Sequence, residues 1–280
     1  MNALEIRNLS KSYPGFRLEN LNLTLPSGCI LGLVGENGAG KSTTIKLILD
    51  IIRRDGGSIT VLGQDNHKNA PLLRQEIGVV LDEPGLPNCL NPIQIGRVMA
   101  GIFTNWDSGL YEQYLKQLDL PQNKAFGTFS RGMKMKLSIA VALAHHPKLL
   151  ILDEPTSGLD PVVRDEVVEL FIEFTREESH AVLISSHIVS DLEKLCDYIA
   201  FLHKGRLMLC EEKDLLLEEY GLVQCSAQAL AELDPDAIKG RKTTPYGVQA
   251  LVQREGIPAG MPVSPVSIEE LFIFMAKEAV

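Results

Sequence analysis

Residues Gly35-Glu36-Asn37-Gly38-Ala39-Gly40-Lys41-Ser42 match the pattern G-x-x-x-x-G-K-[ST], and no other segment restricts the fold of this chain as tightly. Ahead of it runs Cys29-Ile30-Leu31-Gly32-Leu33-Val34, an unbroken apolar stretch of the kind that forms a strand buried on both faces of a parallel sheet. Behind it, Thr43 to Ile52 carries Ile45, Ile48, Leu49 and Ile52 at the i, i+3, i+4, i+7 spacing of a helix. Strand, glycine-rich loop, helix is the setting in which this pattern cradles phosphate. The glycines let backbone N–H groups turn inward, and the helix N-terminus adds partial positive charge. Lys41 can then reach the β and γ phosphates of a nucleotide, and Ser42 can ligate Mg²⁺.

The remaining elements fit the same α/β architecture. Leu149-Leu150-Ile151-Leu152 and Val182-Leu183-Ile184 read as two more buried strands. Between them Asp160 can cap a helix, Pro161 suits its first turn, and Val163, Val167, Leu170, Phe171 and Phe174 form its apolar stripe. Near the N-terminus Leu4 and Ile6 alternate, as do Leu21, Leu23 and Leu25 before the turn Pro26-Ser27-Gly28, which predicts antiparallel β structure. Tyr198 to Leu202 and Arg206 to Leu209, joined by His203-Lys204-Gly205, read as a hairpin. From about Asp82 to Phe129 the pattern changes to prolines at 84, 87 and 92, followed by helical spacing at Leu110, Tyr114, Leu115 and Leu118. We expect a helical insertion there, about residues 83–145. After Tyr220 the texture changes again, with an Ala/Leu-rich stretch, recurring prolines and a closing helix announced by the Ser267/Glu270 capping box. The expected division is therefore 1–219 for the main domain and 220–280 for a small accessory domain.

Composition excludes several classes. At 280 residues with 45% hydrophobic and 22% charged side chains, the chain can bury one or two ordinary cores. Its longest apolar runs fall short of the roughly 20 residues a membrane helix needs, and Met1 to Ser10 lacks the pattern of a signal peptide. A net charge of −9 without a lysine or arginine cluster argues against a sequence-independent grip on nucleic acid. The five cysteines include no Cys-x-x-Cys pair, so we expect reduced thiols and a cytosolic setting.

The reaction class comes from Asp153-Glu154, directly after the apolar run at 149–152. A carboxylate at the C-terminal end of a buried strand is placed to orient Mg²⁺, and its neighbour to polarise an attacking water. With the loop at 35–42, the segment Ser130 to Met133, Asp153-Glu154, Ser157-Gly158-Leu159-Asp160 and His187 in this order, the chain resembles the ATPase subunits of ATP-binding cassette (ABC) transporters over about Met1 to Leu215.

The resemblance implies a P-loop NTPase fold of ABC type that binds ATP and Mg²⁺. ATP would lie on Gly35, Asn37, Gly38, Ala39, Gly40, Lys41, Ser42 and Thr43, with Tyr13 stacked on adenine. Ser42, Asp153 and Asp82 would serve the metal, while Glu154, His187 and Lys41 would act on the γ-phosphate and the water. Ser130, Gly132 and Asp160 would meet the nucleotide held by a second subunit, which implies a homodimer or heterodimer around two ATPs. Two motifs depart from the usual pattern, the signature at Arg131 and Met133 and the segment that ends in Asp82. The signature, usually Leu-Ser-Gly-Gly-Gln, reads Phe129-Ser130-Arg131-Gly132-Met133, and Asp82 stands where a glutamine is usual. An aspartate can ligate Mg²⁺ through oxygen but is one methylene shorter, so we expect it to touch metal only when subunits close. Arg131 could lend charge to the phosphate held by the second subunit or only decorate the surface, and the surface reading is the one we expect.

The function so implied is an ATP-hydrolysing motor that drives export through integral membrane permease subunits encoded as separate chains, from the cytoplasmic face of the membrane. The compact insertion, the altered signature and the C-terminal extension resemble exporters of drugs, antibiotics or peptides. The alternative is a soluble ABC ATPase in translation or DNA maintenance. Its usual paired cassettes or long coiled-coil insertions are missing from these 280 residues.

Overall fold

A computed structural model describes residues 1–83, 85–245 and 247–278. The N-terminal alternation becomes two long antiparallel strands, β1 (Asn2–Tyr13) and β2 (Phe16–Pro26), joined at Pro14-Gly15. Leu4, Ile6 and Leu9 of one and Leu18, Leu21, Leu23 and Leu25 of the other are buried on a common face. The apolar run forms β3 (Ile30–Val34), buried at every position, and the phosphate-loop pattern feeds into α1 (Lys41–Ile48). The helix stops short of the expected Ile52 because Asp50 turns left-handed at φ 53°.

Strands β4 (Gly56–Val61) and β5 (Gln64–Asp65) complete a four-stranded sheet in the order β2-β1-β4-β5. Next come α2 (Ala70–Glu76) and β6 (Ile77–Val80), then the helical insertion with α3 (Pro92–Ala100), α4 (Ser108–Gln117) and α5 (Arg131–Leu143). The chain returns through β7 (Leu149–Asp153), α6 (Pro161–Phe174), β8 (Ala181–Ser186), α7 (Val189–Leu195) and the hairpin of β9 (Tyr198–His203) with β10 (Arg206–Glu212). The second sheet runs β10-β9-β3-β8-β7-β6, parallel throughout except at β10.

Alternate residues of this sheet enter two different cores, as the period of two in a strand requires. Leu31, Leu33, Ile151 and Leu183 pack with the N-terminal sheet and α1. Ile30, Val34, Leu152 and Ile184 pack with the helices of the insertion and with α6 and α7. The C-terminal ends of β3, β7 and β8 therefore open side by side on one edge, where ligands of parallel α/β sheets sit.

After α8 (Lys213–Glu219) come β11 (Tyr220–Cys225), α9 (Ala227–Ala231), β12 (Ile238–Thr244), β13 (Gly247–Gln253) and α10 (Ile268–Glu278). The three strands form an antiparallel sheet in the order β11-β13-β12. The capping box of α10 is present: Glu270 Oε2 accepts from Ser267 N–H at 3.0 Å, and Ser267 Oγ accepts from Glu270 N–H at 3.2 Å. One face of this unit has a small core of its own around Val223, Leu230 and Val252. Its other face joins the main core: Ile268, Leu271 and Phe274 lie with Leu192 and Phe201, and the Phe272 ring stands 5.3 Å from that of Phe201.

Candidate nucleotide site

The phosphate loop leaves β3 at Gly35, where a Cβ would stand 2.4 Å from the Leu202 carbonyl oxygen. Only glycine allows that approach. Gly38 and Gly40 adopt φ of 84° and 114°, a region other residues enter at a steric cost. Gly40 is the N-cap of α1, and Ala39 is tied on both sides, its N–H to Glu36 O at 3.0 Å and its carbonyl to Gly205 N–H at 3.0 Å. Lys41 is only 6% exposed; its Nζ donates to Gly35 O at 2.7 Å and stands 3.3 Å from Glu154 Oε1.

Glu154 joins the loop to the far side of the site. Its second carboxylate oxygen, Oε2, contacts His187 Nδ1 at 2.7 Å and accepts from His187 N–H at 3.3 Å. The carboxylate thus bridges Lys41 and His187. Glu154 holds this place with φ 52°, a left-handed backbone that costs on the order of 1–3 kcal/mol in a non-glycine residue. Its N–H is held by Ser185, through the carbonyl at 3.1 Å and through Oγ at 3.2 Å. The same hydroxyl donates to Asp153 Oδ1 at 2.5 Å, so Ser185 locks both acidic residues where β7 and β8 end. No sequence signal singled out Ser185; its role depends on the pairing of two parallel strands.

A cavity of about 760 Å³ collects Asn37, Gly38, Gly40, Lys41, Ser42 and Thr43 of the loop with Glu154, His187 and Asp82. Gly35, Ala39 and Asp153 do not line it; Asp153 is the buried last residue of β7, its Oδ1 taken by Ser185. Tyr13 is not part of the lining; it is 42% exposed, with Lys11 Nζ 5.4 Å from its ring centroid. Phe16, which sequence reasoning passed over, lines the cavity with Gly15, and its ring would stand 3.0 Å from a Cβ on Gly40. Its sequence signal was only an aromatic residue after a Pro-Gly turn.

Ser130, Gly132 and Asp160 are outside this cavity. Ser130 caps α5, its Oγ accepting from Met133 N–H at 3.2 Å, and Asp160 caps α6 in the same way toward Val163 N–H at 3.1 Å. Both caps are exposed. Asp82 reaches the cavity edge with its Oδ1 bonded to Arg131 Nη2 at 2.7 Å. Arg131 is half-exposed, as a surface residue would be, yet it carries this ion pair and lines the cavity.

Known proteins resemble this chain in sequence and fold. The family described as "ABC transporter" matches residues 18–157. The bacitracin transport ATP-binding protein BcrA of Bacillus licheniformis is 36% identical over 208 residues, 73% of this chain and 68% of that protein. The lantibiotic transport ATP-binding protein SrtF of Streptococcus pyogenes is 38% identical over 214 residues, 75% of this chain and 91% of its own length. A solved ATP-binding subunit of an ABC transporter superposes with a TM-score of 0.71 at 29% identity, covering 77% of this chain and 92% of that one. With the family pattern spanning half the chain and the phosphate loop, Glu154 and His187 gathered in one cavity, the chain belongs to the ATP-binding subunits of ABC transporters.

Proposed function

We propose that this ATPase drives export of antibiotics or antimicrobial peptides, working as a pair of subunits on the cytoplasmic face of the membrane beneath separate permease chains. The observation that carries the hydrolytic part is the Glu154 carboxylate, held between Lys41 and His187 at the mouth of the phosphate loop. A γ-phosphate entering the loop offers Lys41 a more highly charged partner than the Glu154 carboxylate, and it can take the ammonium in a charge-assisted bond. Glu154 Oε1 then loses its lysine and can accept a proton from water, while His187 keeps Oε2 and so the direction of the carboxylate. Tyr13 and Phe16, either side of the Pro14-Gly15 turn, are the aromatic candidates for the adenine face.

The donor set suits Mg²⁺. Ser42 and Asp153 offer hard oxygen ligands, and Mg²⁺ is usually held by one or two carboxylates with phosphate and water completing the shell. Among the described residues no group of three His, Cys, Asp or Glu side chains converges on a metal position. When bound, Mg²⁺ supplies neutralisation of phosphate charge. Asp82 joins this set once its carboxylate leaves Arg131.

The partner reading rests on a second cavity of about 560 Å³ between α2, β6 and the helical insertion, lined by Leu73, Ile77, Leu86, Met99, Phe103 and Val141. Leu72 and Ile102 stand exposed in the same region, at 67% and 55%. An apolar groove of this kind accepts a short amphipathic helix from a permease. Among the described residues no helix is long and apolar enough to cross a membrane. The relatives' names point to peptide antibiotics, and the two exposed caps at Ser130 and Asp160 suit contact with a second subunit. Affinity purification from the native membrane fraction should bring down an integral membrane protein whose presence changes the ATPase rate. Recovery with ribosomes or DNA instead would replace this reading with the soluble alternative.

A further inference from the structure

Two of the residues that depart from the usual family pattern, Asp82 and Arg131, are 49 positions apart and bonded to each other. One ends the stretch after β6, and the other opens α5 at its first helical position, directly after the cap Ser130. A cation at a helix N-terminus opposes the helix dipole, so Arg131 gains nothing from its own helix. Asp82 supplies the missing anion. The guanidinium also lies along the loop between Glu154 and Asp160: a Cβ on Gly158, whose φ is 69°, would stand 3.2 Å from Nε and 3.4 Å from Cδ. Three segments thus meet on one side chain: the Asp82 stretch, the start of α5 and the loop that leads to Asp160.

We propose that Arg131 is a positioning residue that, through Asp82 and the surface of Gly158, ties the start of the signature helix to the chain's own nucleotide edge. Ser130 and Gly132 flank it on α5, and Asp160 follows Gly158 by two residues, so the groups presented to a second subunit are set by one internal tie. The pair is half-exposed, 53% at Arg131 and 49% at Asp82, so solvent weakens it and it can open and reclose during a cycle. This inference rests on the two-subunit reading above.

Arg131→Ala, Arg131→Lys, Asp82→Asn and the double variant Arg131→Ala/Asp82→Asn test it. For Arg131→Ala we expect faster amide hydrogen exchange at residues 130–135, a roughly tenfold or greater loss in kcat, and an ATP affinity of the isolated subunit within about twofold of wild type; Asp82→Asn, at a residue also placed in the metal set, is judged by the exchange at 130–135, which should rise as far. The double variant should be no worse than either single one, and Arg131→Lys should recover most of the rate. Three results would overturn the tie: additive losses, unchanged exchange at 130–135, or a loss of ATP affinity near tenfold in Arg131→Ala, which would make the guanidinium a phosphate ligand. If wild-type protein neither hydrolysed ATP nor paired, the functional reading would fail, while the exchange data would still decide the tie.

Discussion

The nucleotide edge and the C-terminal unit are built on opposite terms. At the nucleotide edge, Lys41, Asp153 and Ser185 are withdrawn from water and Glu154 nearly so, each bonded to a polar neighbour: Lys41 to Gly35 and Glu154, Glu154 to the exposed His187, Asp153 to Ser185. Buried polar groups of this kind are tolerable only when satisfied, so each position accepts very few residue types. The C-terminal unit holds together by apolar contact, with Leu271 and Phe274 against the main core and Val223 and Val252 in a smaller one. There volume and pattern matter more than identity. Substitution should therefore remove chemistry without unfolding at one end, and unfold without touching chemistry at the other.

The largest effect is expected at Glu154. Glu154→Gln keeps the shape but removes the base we propose, and general-base catalysis is worth about 10²–10⁴-fold in rate. Phosphate release should fall by that factor while ATP still binds, and the variant should collect as dimers with ATP and Mg²⁺ on a sizing column. A variant that hydrolysed normally would remove Glu154 from the chemistry, and one that stayed monomeric would count against the paired subunits.

Leu271→Ala is the matching change at the other end. The side chain is fully buried on α10, so truncation should cost about 2–5 kcal/mol, seen as a lower thermal midpoint. The specific ATPase rate well below that midpoint should stay at the wild-type value. A fall in that rate would show the C-terminal helix reaching the nucleotide edge and would blur the contrast between the two regions.

The smallest effect concerns His145, which belongs to neither region. It is buried beneath the groove beside the insertion, stacked at 3.9 Å on Phe103, with Nε2 at 3.2 Å from Ile77 O. Burial pushes its pKa below the ordinary histidine value, with the neighbouring carbonyls of Ile77 and Val141 opposing the shift. The folded protein therefore takes up this proton less readily than the unfolded chain. Its contribution to stability is present above the unfolded pKa, about 6.5, and is lost as pH falls toward the lower folded value. Urea midpoints should drop between pH 7.5 and pH 5.5, and His145→Gln should show a shallower drop. An unchanged slope would assign the acid sensitivity to other groups.

How much could be read in advance follows the same contrast. The phosphate loop, Glu154 and His187 were legible because their chemistry demands particular residues in a particular order. The strand and helix that flank the loop were legible from apolar spacing, although the left-handed Asp50 ended α1 before the spacing did. Contacts between distant segments were not. Nothing in the sequence pairs Asp82 with Arg131, places Phe16 rather than Tyr13 on the cavity wall, or sets Ser185 against Asp153, since each depends on how strands and helices come to rest. Strand β12 was silent as well, because Ile238-Lys239-Gly240-Arg241-Lys242-Thr243-Thr244 has no apolar alternation and is a strand only through its pairing with β13.

The grip of Lys41 and His187 on Glu154 has one more consequence. In the role we propose for it, this carboxylate must bind water, and one side of Oε1 already faces Lys41 while Oε2 faces His187. A γ-phosphate that competes for Lys41 would open a further acceptor position on Oε1 to water, whereas the shorter diphosphate product is a poorer competitor. The site would in this way sense which nucleotide it holds before committing to a cut, and idle turnover would be restrained by the same lysine that recognises the fuel.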